Sequence, residues 1–348
     1  MSDHLFGLQF RLRKIDQNGD PLVKINQFVD WELFRPDLEA AREAVRAREP
    51  KSNAGRPSTD SILLFKMLVL QSLFNLSDDA LEQQSLDRLS FQRFLGLSLG
   101  DPVPDAKTLW AFREALKPND LAKRLFLRFD AFLRANGFEA QQGQIVDATL
   151  VRVRVRRDTP EVNAQVKRGE GDRVEGWGKN ARPQKDTDAR WTVKGGKSHI
   201  GYKDHAGADV KHKLLRAYDI TPASVHDDNR YEPLITANTS PEEYADSAYR
   251  SAERMAGRAA AGKVAHIQER GRRGHPLTEA QRAANRERSR IRSRIEHIFG
   301  AMRQRAGDLI LRTVGLARAR VKLGLRNLAY NLERYAWLRL AGRGDLVS

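Results

Sequence analysis

Gln144-Ile145-Val146-Asp147-Ala148-Thr149-Leu150-Val151 is a mostly apolar run, rich in β-branched residues, that one carboxylate interrupts. Branched side chains fit the pleated surface of a sheet, so the run predicts a strand in a buried or half-buried position. An unpaired carboxylate inside such a strand costs several kcal/mol of desolvation. We therefore expect Asp147 either to lie at a strand end in water or to be held by a cation, and this stretch alone leaves both open.

The residues before this strand are patterned for helices, and those after it for strands and helices. Ile62 to Phe74 is apolar almost all round, which predicts the core helix of a helical domain. The mixture after residue 143 predicts a sheet with helices on its faces. The predicted fold class is α+β, with an all-α domain over residues 1–142 and a mixed α/β domain over residues 143–348. A polar insertion is expected at about 157–190.

The second domain divides into predicted elements by its hydrophobic periodicity and its turn residues. A hairpin turning at residues 206–209 is predicted first, and a helix of about 25 residues is predicted at the C-terminus. The predicted elements are strands at 198–205 and 210–221, a helix at 224–237, a strand at 243–246, a helix at 251–261, a strand at 264–267, and helices at 278–305 and 316–340.

Charge is the strongest compositional signal. The 348 residues carry 61 Lys and Arg against 45 Asp and Glu, a net charge of +16, which favours a polyanionic partner such as nucleic acid. The absence of cysteine excludes disulfides and cysteine-bound zinc and is typical of a reducing compartment. No secretory signal and no apolar run of about 20 residues is present, so we expect a cytoplasmic, nucleoid-associated protein without a membrane partner.

The first domain is a candidate for double-stranded DNA binding. Short helices over 78–86 and 89–95, then one beginning at Ala106, favour a helix-turn-helix arrangement in which Lys107, Thr108 and Arg113 face the DNA. An ordinary helical bundle fits the same pattern equally well. Arg56, in the breaker-rich stretch 50–57, is a candidate for minor-groove insertion, although that stretch also reads as a plain linker.

Two more carboxylates, like Asp147, stand alone among residues of a different type. Asp246 ends a short predicted strand, and Glu296 lies in the arginine-rich helix 278–305. Taken alone, a single Glu in so basic a helix is more often a salt-bridge partner than a catalytic residue. Three carboxylates on separate elements are nevertheless the oxygen ligands that two Mg²⁺ ions need, and such an ion pair supports phosphoryl transfer.

At these residues the sequence resembles the DDE transposases of bacterial insertion sequences, of the insertion-sequence-five and insertion-sequence-four type. The resemblance covers most of the chain, and four blocks in order carry it: Ile145-Val146-Asp147-Ala148-Thr149-Leu150, His199-Ile200-Gly201-Tyr202-Lys203-Asp204-His205, Ala245-Asp246-Ser247-Ala248-Tyr249 and Ile291-Arg292-Ser293-Arg294-Ile295-Glu296-His297-Ile298-Phe299.

The resemblance implies a ribonuclease-H-like catalytic domain that cuts at element ends and joins the 3′ hydroxyl to target DNA. It implies Asp147, Asp246 and Glu296 as the catalytic metal ligands, for two Mg²⁺ ions that Mn²⁺ can replace. The implied DNA contacts of this domain are Lys203, His205, Arg292 and Arg303.

The same resemblance implies partners and shows two departures. The implied partners are the terminal inverted repeats, target DNA and a second copy of the chain when two ends are held together. Arg303 stands where the family has a lysine, and Ser289 stands where it has a tyrosine. An arginine at the first position can still bind a phosphate through its planar fork.

Two other functions are compatible with the sequence. A non-enzymatic, sequence-specific DNA-binding repressor would have the same charge and the same N-terminal helices. A nuclease that cuts without joining would also share the carboxylates. If the three carboxylates lie close together in space, an enzyme is favoured over the repressor. A strand-transfer assay distinguishes the nuclease from a transposase.

Overall fold

The computed structural model describes residues 4–48, 58–154, 158–235 and 240–342. Its contacts divide the chain into two units, Met1–Phe138 with Gly324–Ser348, and Glu139–Leu323. The sequence-based boundary assigned the whole C-terminal helix to the second domain, whereas the contacts divide that helix at residue 324. The reason lies in its aromatic residues, because Tyr335 packs edge-on against Phe129, Phe132 and Phe138 of the first unit.

The first unit is helical throughout its described residues. Its helices are α1 (His4–Gln17), α2 (Pro21–Phe28), α3 (Arg35–Arg48), α4 (Ser61–Phe74), α5 (Asp78–Asp87), α6 (Leu89–Leu95), α7 (Ala106–Ala115) and α8 (Leu121–Ala135), with 3-10 turns at Trp31–Phe34 and Pro118–Asp120. The helices from α5 to α7 are the predicted helix-turn-helix segment. One residue, Arg88, separates α5 from α6, and ten residues, 96–105, separate α6 from α7. The helix-turn-helix assignment stays a prediction.

Helix α4 is the apolar centre of this unit, as its composition predicts. Most of its side chains are buried, and Phe65, Met67 and Leu68 have no exposed surface. Asp60 caps its N-terminus by accepting from the backbone N–H of Ile62 at 2.6 Å. No single helix in the described residues is long and apolar enough to cross a membrane, although α4 and α5, which meet at 104°, would be if taken together.

The second unit is a seven-stranded mixed sheet with helices. Its strands are β1 (Gln144–Val153), β2 (Arg190–Lys194), β3 (Lys197–Asp209), β4 (Leu215–Pro222), β5 (Glu242–Ala245), β6 (Val264–Ile267) and β7 (Ile310–Leu311). Its helices are α9 (Pro160–Lys167), α10 (Tyr231–Leu234), α11 (Ala252–Ala260), α12 (Glu279–Ala306) and the first part of α13 (Leu316–Leu340). The predicted strand around Asp147 and the two long C-terminal helices are confirmed.

Strand β1 lies in the middle of the sheet. It pairs antiparallel with β3 and parallel with β5, β4 pairs antiparallel with β3, and β6 pairs parallel with β5. The path β4-β3-β1-β5-β6 therefore contains one strand, β3, that runs against all the others. β2 extends the outer edge of β3, and β7 pairs with the end of β1.

The two faces of the sheet carry different helices. Val146 lies opposite Gly207, and it packs in a buried cluster with Tyr231, Leu234 and Tyr249, on the side of α10. Because successive strand residues point to opposite faces, Asp147 and its partner Ala206 face the other way. Helix α12 packs on β1 and β5 and buries Ile295, Ile298, Phe299 and Met302. The alternation of β1 therefore directs Asp147 toward α12.

The hairpin and the helix after it differ from their predicted form. Strand β3 continues through the expected turn to Asp209, and the turn occupies residues 210–214. Asp209 looked like a turn residue, but its buried carboxylate accepts from the backbone N–H groups of His212 at 2.5 Å and Leu214 at 3.2 Å. The helix predicted at 224–237 is reduced to a 3-10 turn at Asp227–Arg230 and α10, with residues 236–239 outside the described part.

The polar insertion predicted at about 157–190 contains secondary structure in its described residues, and polar contacts stabilise it. The segment holds α9, two 3-10 turns and buried Val166 and Val174. Asp158 accepts from Lys185 Nζ at 2.7 Å, and Tyr202 of β3 donates to Asp186 at 2.7 Å. The sequence of this segment has too few apolar residues to show a hydrophobic pattern. Its structure is stabilised by charged pairs instead, and such pairs leave no periodic signal in the sequence.

Gly201 allows β3 to approach β1 closely, and we predict that Gly201→Ala destabilises the protein. A Cβ built there would lie 2.1 Å from the carbonyl oxygen of Val151. Overpacking against backbone typically costs about 1–3 kcal/mol of unfolding free energy. Denaturant unfolding of the variant measures this loss.

The matched control for this measurement is Gly257→Ala in α11. A Cβ at Gly257 meets no atom within 4 Å. Alanine should therefore leave stability unchanged or raise it by up to about 1 kcal/mol. Equal effects of the two substitutions would show that close strand approach does not matter.

Candidate active site

Asp147 lies within β1, and Asp246 directly follows β5, the parallel neighbour of β1. In the β1–β5 register, Gln144 pairs with Glu243 and Ile145 with Tyr244, an offset of 99 positions that also separates Asp147 from Asp246. Asp246 directly follows β5, and its carboxylate accepts from Ala248 N–H at 2.8 Å to start the 3-10 turn Ser247–Tyr249. Asp147 similarly accepts from Ala148 N–H at 2.8 Å.

Glu296 is connected to Asp147 through Arg292. One turn separates Arg292 from Glu296 on α12, and their side chains are joined at 2.7 Å from Nη2 to Oε1. The other terminal nitrogen, Nη1, donates to Asp147 Oδ2 at 2.9 Å. A single guanidinium thus bridges a central-strand carboxylate and a carboxylate of the long helix.

Polar contacts along the N-terminal half of α12 position this bridge. Asn285 accepts from the Glu269 backbone N–H at 3.0 Å and donates to the Glu269 carbonyl at 2.9 Å. Ser289 accepts from Gln268 at 2.6 Å, and Arg294 donates to the Val210 carbonyl at 2.7 Å. Helix α12 is therefore held both to the segment after β6 and to the turn after β3.

Burial gives the Asp147 carboxyl an unusual pKa. Desolvation raises its pKa from the ordinary value of an aspartate to about 6, and the neighbouring Asp246 carboxylate adds to the rise. The Arg292 guanidinium and the Ala148 N–H oppose it by favouring the charged form. The side chain is 17% exposed, so water reaches one edge of this carboxylate. A perturbed carboxyl beside a second carboxylate is typical of functional sites.

The carboxylates fit a hard cation in their chemistry. Mg²⁺ prefers oxygen ligands and usually takes one or two carboxylates, with water and phosphate completing its shell. Asp147 and Asp246 supply two such ligands from matched positions on adjacent strands. As the side chains stand in the described residues, no three His, Cys, Asp or Glu are grouped closely enough to hold a metal ion. At Glu296, the Arg292 guanidinium occupies the space toward Asp147.

Two predicted DNA contacts, Lys203 and His205, lie on the opposite face of the sheet. Lys203 Nζ donates to the Val225 carbonyl at 2.8 Å and lies 2.8 Å from Asp227. His205 is fully buried, and its Nε2 lies 2.8 Å from Thr221 Oγ1. The prediction that His205 contacts DNA was wrong for this structure, because strand alternation directs its ring into the protein.

Tyr249 lies in the buried cluster around Val146, and the sequence reasoning did not single it out. Its side chain is buried, and its hydroxyl has no hydrogen-bond partner in the described structure. Burial raises the pKa of this hydroxyl, and the carboxylates of Asp227, Asp147 and Asp246 raise it further. The sequence signal that could have pointed to this residue is its position, three residues after Asp246. A buried aromatic residue of the core fits that position equally well.

The remaining predicted DNA contacts have different environments. Lys107 and Arg303 are exposed. Arg113 was expected on an exposed recognition face, but it turns inward and bonds Asp78 at 2.5 and 2.7 Å and Gln71 at 3.0 Å. That expectation was wrong because a half-buried carboxylate on α5 attracts the guanidinium. Arg56 lies outside the described residues.

Comparison with known families gives two matches that together span most of the chain. Residues 10–115 match a family described as a transposase domain (DUF772), and residues 139–332 match one described as a transposase DDE domain. The second match contains Asp147, Asp246 and Glu296. Among solved structures, the chain is similar to a piggyBac transposase synaptic complex with hairpin DNA, determined by cryo-EM. That similarity has 13% identity and a TM-score of 0.46, over 94% of this chain and 77% of the other.

We predict that acid destabilises the protein through His205. Burial lowers the pKa of this imidazole from 6.5 to about 4, so the folded state keeps it neutral. The neutral His205 therefore contributes fully to the free energy of unfolding above about pH 6.5. This contribution is lost as the pH falls toward 4, because the unfolded chain takes up a proton that the folded protein does not. By linkage, the loss between about pH 7 and about pH 4.5 is on the order of 2–3 kcal/mol.

Denaturant unfolding at the two pH values measures this effect. The His205→Gln protein lacks the titrating group and should lose roughly 2–3 kcal/mol less than the wild type over the same range. His275→Gln, at an exposed histidine, is the control and should behave like the wild type. A His205→Gln protein with the full wild-type acid sensitivity would contradict the assignment.

Proposed function

The chain belongs to the family of transposases with a DDE catalytic domain, and on that premise we propose that Asp147, Asp246 and Glu296 are its catalytic carboxylates. The family makes it a DNA transposase, a polynucleotidyl transferase that acts on phosphodiester bonds. The observation that carries the residue assignment is the matched register of Asp147 and Asp246, together with the Arg292 link from Asp147 to Glu296. All three assigned residues belong to Glu139–Leu323.

We propose that this unit has a ribonuclease-H-like fold. The five-strand path β4-β3-β1-β5-β6, with β3 alone antiparallel to its neighbours, supports the assignment. Helices on both faces support it further, with α10 on one side and α12 on the other. In this arrangement the first Asp lies within the central strand and the second directly follows its parallel neighbour.

We propose two Mg²⁺ ions as the cofactor, with Mn²⁺ able to replace them. When bound, such an ion pair supplies charge stabilisation to the attacking and leaving oxygens of an in-line displacement. Asp147 and Asp246 would hold the ions from the strands, and Glu296 would join them from α12. The raised pKa of Asp147, about 6, still leaves its carboxylate mostly charged near pH 7 and available as a ligand.

The cations around the carboxylates suit a DNA substrate. Arg292 lies within hydrogen-bonding distance of two of the three carboxylates, so it would meet a scissile phosphate held there. Arg303, exposed on α12, would contact the DNA backbone, and Lys107 of α7 would contact the terminal repeat. A net charge of +16 supports binding of the inverted repeats and target DNA by a cytoplasmic protein. A homodimer would hold two ends together.

We predict that Asp147→Asn and Asp246→Asn each abolish cleavage without abolishing DNA binding. Asparagine keeps the local hydrogen-bond acceptor of each residue but removes the charge that a divalent ion needs. Cleavage of labelled duplexes carrying the two ends of the encoding element should require Mg²⁺ and fall at least about 100-fold in each variant. Gel-shift titration should show wild-type affinity in EDTA.

Glu296→Gln and Glu287→Gln form a matched pair on α12. Glu287 is exposed and pairs with Arg290, so its substitution should leave cleavage intact while Glu296→Gln removes it. Undiminished Mg²⁺-dependent cleavage by the purified Asp147→Asn protein would sink the assignment. Cleavage without joining of a 3′ hydroxyl to target DNA would indicate a nuclease activity alone.

A further inference from the structure

The Arg292 side chain occupies the position where a cation bound by both Asp147 and Glu296 would lie. Its two terminal nitrogens contact one oxygen of each carboxylate, at 2.9 and 2.7 Å. The guanidinium is 20% exposed and Asp147 17%, so water weakens the contact between these two less than it would weaken a surface pair, whereas the Glu296 side chain is 54% exposed. The guanidinium and a metal ion would therefore compete for the same carboxylate oxygens.

The bridge leaves part of the guanidinium unused. Arg292 Nε is buried and has no hydrogen-bond partner in the described structure. A guanidinium has five N–H donors in a planar fork that matches the oxygens of a phosphate, often through two parallel bonds. A DNA phosphate arriving at the exposed edge would offer the two terminal nitrogens of Arg292 a new acceptor as they leave Asp147 and Glu296.

We propose that Arg292 is a positioning residue that holds Asp147 and Glu296 together without DNA and transfers to a DNA phosphate when DNA binds. This inference rests on the proposed function, since it takes the same carboxylates as metal ligands. The transfer releases Asp147 Oδ2 and Glu296 Oε1 for a divalent ion. DNA and metal then bind cooperatively, and each raises the affinity for the other by the same factor.

The exchange prevents an idle site from collecting metal. Without DNA, the positive guanidinium repels a divalent ion and occupies the two carboxylate oxygens. With DNA, the phosphate neutralises the guanidinium and adds ligand oxygens. Asp246 lies outside this bridge, where its carboxylate accepts from Ala248 N–H, so it does not need to be released.

The test measures Mn²⁺ binding to the DNA-free protein in a titration monitored by electron paramagnetic resonance. We predict that Arg292→Gln binds Mn²⁺ roughly tenfold or more tightly than the wild type, because the competing charge is gone. Arg292→Lys keeps the charge but loses the fork, so its gain should be smaller. Arg290→Gln, on the same helix but paired with Glu287, controls for a general change in charge and should bind as the wild type does.

A merely structural role for Arg292 predicts the opposite result. In that case, Arg292→Gln would lower the unfolding free energy and leave Mn²⁺ affinity unchanged or reduced, and either outcome overturns the proposal. Adding terminal-repeat duplex should raise the Mn²⁺ affinity of the wild type and raise that of Arg292→Gln by a smaller factor. Equal factors in the two proteins would also overturn it.

Two further variants separate this inference from the proposed function. If Asp147→Asn and Asp246→Asn bind Mn²⁺ as tightly as the wild type, the carboxylates do not hold the ion, and the proposed metal site itself fails. If both substitutions weaken Mn²⁺ binding but Arg292→Gln does not strengthen it, the metal site stands and the exchange role of Arg292 is wrong.

Discussion

The structure around the candidate site depends on one constraint, the presence of a charged carboxylate in the middle of a central strand. Asp147 lies between β3 and β5, where an unpaired charge would cost several kcal/mol. Its compensation comes from the Ala148 N–H and from Arg292 on a helix 145 positions away. Helix α12 must therefore pack across β1 with Arg292 facing inward, and its buried residues from Ile295 to Met302 hold it there.

The two faces of the sheet have different compositions. On the side of Val146 an apolar cluster and Tyr249 form a closed core, and His205 is buried there with its partner Thr221. On the side of Asp147, α12 adds polar and charged contacts to its buried apolar residues. A single β1 strand serves both, because its side chains alternate between the faces. Reactive carboxylates and the packed core can thus occur one residue apart.

Several features of the fold followed from sequence patterns alone. The strand at β1 came from its β-branched composition, and α12 and α13 came from long helical patterns without internal proline. Weaker patterns failed where polar contacts decide the structure. Asp209 closes the hairpin from inside β3, and the insertion is held by Asp158 and Asp186, whose partners lie elsewhere in the chain. Local propensity does not report such contacts.

The sequence by itself determined the identities and order of the three carboxylates and the charge that favours DNA. Those properties are set by residue type and spacing. Only the tertiary structure decided which groups meet: the register that aligns Asp147 with Asp246, the Arg292 bridge to Glu296, and the inward turn of Arg113 toward Asp78. The physical reason is that pairing across strands and helices brings together distant residues, such as Asp147 and Arg292, which are 145 positions apart, and no local pattern specifies the partner.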